Sequence, residues 1–109
     1  MRIELYQIKN IHNEKWGCSF DFVQKHQGGI NPDDYEKVYT CERSEYQATL
    51  DGIYEEFNIF HPEDYKAHSL MVSDIIVRYQ DGNVEAYYVD DFGFKDVTDL
   101  FCKKEVANG

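Results

Sequence analysis

Basic residues are scarce: 11 Lys and Arg stand against 21 Asp and Glu among 109 residues, a formal charge of −10. A chain so poor in cations repels phosphate backbones, so no direct nucleic-acid binding is expected. Cysteine is sparse as well. Cys18, Cys41 and Cys102 are odd in number, far apart and without a CxxC pair, which argues against a disulfide framework or a zinc site. Long apolar runs are missing. The longest aliphatic one, Ile75-Ile76-Val77, falls far short of the ~20 residues of a membrane span. The opening Met1-Arg2-Ile3-Glu4-Leu5-Tyr6 mixes polar and apolar residues where a secretory signal needs an apolar block. These absences point to a reducing cytoplasm and to no membrane partner.

What is present suits a folded domain. Apolar residues make up 42% of the chain and aromatics 16%, which excludes a disordered tail. A chain of this length buries roughly two-thirds of its unfolded surface without needing staples. Residues 1–60 carry 11 acids and 6 bases, and residues 61–109 carry 10 and 5. So even a distribution gives no reason to divide the chain, and a single domain over 1–109 is expected.

Periodicity supplies the elements. Arg2 to Lys9 alternates as a half-buried strand, with Tyr6 and Ile8 implying partial burial of its second face. Trp16 to Val23 is apolar but short, either strand or turn. Gln27 to Asp34 reads as a Gly- and Pro-containing loop, and Tyr35 to Cys41 as a strand by its β-branched and aromatic content. Leu50, Ile53, Tyr54 and Phe57 fall on one helical face. Thr49 is placed to cap that helix, Asp51 sits at the positive end of its dipole, and Asn58 is expected to end it in a left-handed conformation. Gly52 costs the helix about 1 kcal/mol and suggests close packing. Pro62-Glu63-Asp64 reads as the first turn of a very short helix. Ser73–Gln80 and Val84–Asp90 flank Asp81-Gly82-Asn83 as a hairpin. A short strand over Phe92–Val97, a helical turn from Thr98 to Phe101 and a frayed tail from Lys103 to Gly109 complete the chain. The expected fold is α+β: a small antiparallel sheet with a β-hairpin in its C-terminal half, packed against one main helix. Its expected core sets Ile53, Tyr54 and Phe57 against Ile75, Val77 and Tyr88.

Several ordered blocks carry a resemblance. Leu5-Tyr6-Gln7-Ile8-Lys9, Tyr35-Glu36-Lys37-Val38-Tyr39 and Leu50-Asp51-Gly52-Ile53-Tyr54-Glu55-Glu56-Phe57-Asn58 come first. His61-Pro62-Glu63-Asp64-Tyr65, His68-Ser69-Leu70, Val72 to Val77 and Ala86 to Phe94 follow. In this order they resemble the YodL-like domain family over most of the chain. Met71, Ala67 and Asp91-Phe92 depart from residues common there. The resemblance implies a setting in Firmicutes and their conjugative elements and phages, with no common activity attached.

The candidate chemistry is thin. His12, His26, His61 and His68 lack ligand spacing, so no metal and no cofactor are expected. His68, Ser69 and Asp74 supply the residue types of a catalytic triad, but no nucleophile elbow or oxyanion loop accompanies them. Asp81-Gly82-Asn83-Val84-Glu85 has part of a calcium-loop pattern, without its terminal bidentate Glu, and a hairpin turn explains it. The three cysteines read as small buried hydrophobes.

One feature stands out. Glu85, Asp90, Asp91, Asp96 and Asp99 place five carboxylates within fifteen residues, against Lys95 alone. The plain reading is a solvated face that keeps the protein soluble. The functional reading is a field that steers the domain to a basic protein surface, with Tyr87 and Phe92 as anchors. The expected function is therefore non-catalytic: an acidic accessory factor of a mobile element that occupies a basic, nucleic-acid-binding surface. A CRISPR nuclease or its guide complex is the first partner to consider, and the factor would be an anti-CRISPR inhibitor. The alternatives are a structural or regulatory module of a conjugation or host cell-process apparatus, or a small hydrolase.

Overall fold

Strand β1 (Arg2–Ile8) is buried on both faces because it runs through the middle of the sheet. The computed structural model describes residues 1–102. After β1 come α1 (Phe20–His26), a 3-10 turn at Pro32–Asp34, β2 (Tyr35–Glu42), α2 (Leu50–Asn58), β3 (Ile75–Gln80), β4 (Asn83–Val89), β5 (Phe94–Asp96) and α3 (Thr98–Phe101). The strands form one sheet in the order β2-β1-β3-β4-β5, and every neighbouring pair is antiparallel. The fold is α+β, with the hairpin and its short third strand in the C-terminal half. The tail from Lys103, expected to fray, lies outside the described residues.

Local chemistry explains the ends of the elements. The Thr49 side chain accepts a hydrogen bond from Gly52 N–H and starts α2. A Cβ on Gly52 would lie 2.8 Å from Thr49 Oγ1 and 3.0 Å from the Gln47 carbonyl, so the cap itself requires glycine. Asp81 and Gly82 both have positive φ, 52° and 82°, the backbone a tight two-residue hairpin demands. Two local expectations fail. Asn58 stays helical, and its amide donates to the Leu70 carbonyl at 2.7 Å, while Ile59 caps the helix in a right-handed conformation. Pro62 begins a turn closed by Tyr65 N–H, not a helix.

Two apolar layers cover the sheet. On one face Ile53 and Phe57 of α2 pack with Ile3, Leu5, Ile76, Val89 and Leu70. The other face carries Ile8, Tyr35, Ile75, Val77, Ala86, Tyr88, Val97 and Cys102, covered by Trp16, Phe20 and Phe101. The expected partners of α2 are thus corrected by one residue. Strand side chains alternate faces, so Ile76 meets the helix, while Ile75, Val77 and Tyr88 point to the opposite layer. Trp16–Val23, read as strand or turn, contains the start of α1. Ser19 caps that helix, Asp21 lies in its first turn, and Lys25 and His26 lie in its last.

Candidate functional site

The β4–β5 connection is a closed turn. Asp90 N–H donates to the Gly93 carbonyl at 3.1 Å, and Gly93 takes a φ of 76°. Asp90 Oδ1 accepts from Asp91 N–H at 2.9 Å and from Phe20 N–H, the first residue of α1, at 3.1 Å. The carboxylate therefore ties the turn to a helix N-terminus, where the dipole favours an anion. Phe92 projects from this turn and is 94% exposed. A depression of about 240 Å³ beside it is lined by Ser19, Asp21, Asp90, Asp91, Phe92 and Lys95. These hydrogen bonds fix the backbone of the turn from which Phe92 projects, which lowers the ordering cost of binding.

The other expected site residues disperse. Glu85 pairs with Arg78 at 2.8 Å, and the Arg78 guanidinium stands 5.1 Å from the Tyr87 ring centre. Alternation along β4 turns Glu85 and Tyr87 away from the face that holds Ala86 and Tyr88. Asp96 is engaged just before α3: its Oδ1 accepts from Thr98 N–H at 2.9 Å and from the Thr98 hydroxyl at 2.6 Å. Those two bonds hold its carboxyl below the usual range. Asp99 is exposed in the first turn of α3. Of the seven residues, Asp90, Asp91 and Phe92 form one site. Asp21 and Ser19 join it from α1, and the capping pattern around Ser19 is the signal that could have placed them there.

A second polar assembly is buried between β1 and the segment before β3. Asp74 is 1% exposed. Its Oδ2 accepts from Met71 N–H at 3.0 Å and from Gln7 Nε2 at 3.2 Å. Burial pushes its carboxyl up to about 8, against the lowering effect of those two hydrogen bonds. Gln7 also donates to the His68 carbonyl at 2.9 Å and lies 3.2 Å from the Tyr65 hydroxyl, which itself donates to the His68 carbonyl. His68 Nδ1 lies 2.7 Å from the Ser69 carbonyl, 3.2 Å from Gln7 Nε2 and 3.8 Å from Asp74 Oδ2. Next door, Ser73 takes a φ of 89° and is pinned on three sides. Its N–H reaches the Val89 carbonyl, its hydroxyl accepts from Gly17 N–H, and its carbonyl accepts from the Tyr35 hydroxyl. This assembly joins β1, β2, β4 and the long α2–β3 connection. Sequence reading singled out Asp74, His68 and Ser73 from it, but not Gln7, Tyr65 or Tyr35.

The remaining candidates separate cleanly. Ser69 Oγ meets His61 Nε2 at 3.0 Å, whereas Asp74 lies beside His68. No single imidazole therefore bridges Ser69 and Asp74 in the order a triad requires. Among the described residues no cluster of three His, Cys, Asp or Glu is gathered as metal ligands. Also among them, no helix is long and apolar enough to cross a membrane. Cys102 is buried, while Cys18 and Cys41 are only half-buried.

A sequence profile of the YodL-like domain matches residues 2–100. The chain belongs to the YodL-like domain family. No curated protein and no solved structure matches it. The matched span of this YodL-like domain takes in all five strands, the Asp90–Gly93 turn and the Asp74 assembly.

Proposed function

We propose that this YodL-like domain is a non-catalytic binding module that docks on a basic protein surface through the β4–β5 turn. One observation carries the reading: Phe92, 94% exposed on a hydrogen-bonded turn, stands among the carboxylates of Asp21, Asp90 and Asp91. A large aromatic in that setting gains far more from a partner than from water. The acidic surround and the charge of −10 steer it to a basic surface. A nucleic-acid channel of a host defence nuclease has that chemistry. The mobile-element setting implied by the family makes a guide-loaded CRISPR nuclease the first target to test.

The test is kinetic. Association with the guide-loaded nuclease is followed by surface plasmon resonance over a salt series. Asp91→Lys should slow association and flatten the salt dependence, and Phe92→Ala should speed dissociation. Salt-independent binding, with both rates unchanged in both variants, would exclude this turn as the docking site.

A further inference from the structure

A second apolar surface lies on α2, the helix that covers the other face of the sheet from Phe20 and α1. Tyr46 is 91% exposed, Phe60 66% and Ile59 65%. Tyr46 and Phe60 border a groove of about 290 Å³, also lined by Gln47, Gly52, Glu55 and Glu56. Gly52 leaves the wall between them without a side chain, because the Thr49 cap tolerates none there. Tyr46 and Phe60 border one groove and so form a shared apolar patch, the kind of surface that marks an interaction site.

The charges around the groove select the occupant. Arg43 is tied to Glu56 through two bonds, Nε–Oε1 at 3.0 Å and Nη2–Oε2 at 2.6 Å, so this cation is already engaged. Glu55 is exposed on the groove wall, and exposed Asp51 stands one helical turn before it, on the same side of α2. The groove thus offers apolar contact under an uncompensated negative field. A second copy of the chain is disfavoured, since a two-fold contact here sets Asp51 and Glu55 against their own equivalents. The volume is at the bottom of the range for small-molecule sites and leaves room for an apolar side chain. The geometry points to a basic amphipathic segment of a partner protein as the occupant, seating an apolar side chain between Tyr46 and Phe60 with its Lys or Arg residues on Asp51 and Glu55. This surface is distinct from the β4–β5 turn, and the two stand or fall separately.

The probe is a synthetic peptide of roughly 18 residues with Leu on one helical face and Lys on the other, titrated into the 15N-labelled domain. A peptide with Glu in place of Lys serves as control. Saturable amide shifts should concentrate at residues 46–52 and 55–60. Phe60→Ala should weaken binding by about tenfold or more, Glu55→Lys should weaken it and reduce its salt dependence, and Phe92→Ala should leave it unchanged. Both substituted groove residues are exposed, and unchanged melting curves verify the fold. Several outcomes overturn the proposal: shifts centred on residues 90–95, shifts scattered over the acidic surface, no saturable shift, or equal binding of the Glu peptide. Sedimentation showing self-association that Phe60→Ala abolishes would assign the groove to a second copy instead.

Discussion

Replacing Asp74 by Asn should change the pH dependence of stability more than any other single substitution. The carboxyl is 1% exposed, and its folded-state value of about 8 stands far above its ordinary 3.8. A group raised on folding contributes stability fully below its unfolded value, and the contribution is lost as pH climbs through the folded one. For Asp74 that window runs from 3.8 to about 8. Each pH unit inside it costs up to about 1.4 kcal/mol, so the penalty grows by about 3–4 kcal/mol between about pH 5 and pH 8. Domains of this kind are stable by only about 5–15 kcal/mol, which makes the change easy to read. Asn carries no charge at any pH and keeps an oxygen for Met71 N–H. That oxygen, in the place of Oδ2, keeps the Gln7 Nε2 hydrogen bond as well, and the NH2 group takes the place of Oδ1, so any offset from the exchange does not vary with pH. The signature is therefore the slope. Urea unfolding of both proteins over that pH range should show the variant gaining about 3–4 kcal/mol relative to wild type as pH rises. A parallel series in a His68→Gln background removes the neighbouring imidazole, 3.8 Å away, from the comparison. A stability difference that stays constant over the range would refute the argument and show that Asp74 is solvated.

Other substitutions probe the framework. Phe57→Ala should cost about 3–5 kcal/mol, because Phe57 is 0% exposed and its ring meets those of Tyr39 and Tyr65 at 5.4 and 5.1 Å; a melting temperature lowered by only a degree or two would place α2 off the sheet. Gly52→Ala should destabilise despite alanine's better helix propensity, since the new Cβ meets the Thr49 cap at 2.8 Å; a higher melting temperature would show that the cap yields. Asp96→Ala should cost about 0.5–1.5 kcal/mol through its exposed bonds to Thr98, whereas Asp91→Lys should stay within about 0.5 kcal/mol, both read by urea titration. A charge reversal of Asp90, Asp91 and Asp96 together would therefore weaken the fold as well as the surface, and Asp91 alone is the cleaner charge probe.

Local signals were legible wherever one side chain or one dihedral decides the outcome. Thr49 before the Leu50–Phe57 stripe and Asp81-Gly82 between two apolar runs name a capped helix and a hairpin, and both form. Facing is a different matter. Ile75, Ile76 and Val77 are all apolar and all buried, so nothing in that run tells which of them meets α2, and a one-residue error turns the helix partners over. The acidic residues disperse for the same reason: proximity in sequence between Glu85 and Asp99 ignores that β4 alternates and that Asp90 and Asp96 accept local backbone hydrogen bonds. The Asp74 assembly was legible only as scattered members, not as an assembly. Gln7 and Asp74 are 67 positions apart, and only the pairing of β1 with β3 brings them together. Phe92 was readable because it is a large aromatic flanked by carboxylates and beside a turn glycine.

The most direct test of the binding reading replaces Phe92 by a photo-crosslinking phenylalanine analogue in living host cells. The same analogue at Thr40, exposed on β2, is the control. The account predicts one discrete adduct at position 92, to a basic protein, absent at position 40 and strongly reduced by Asp91→Lys. The same adduct pattern at both positions, or no adduct at 92, would contradict it.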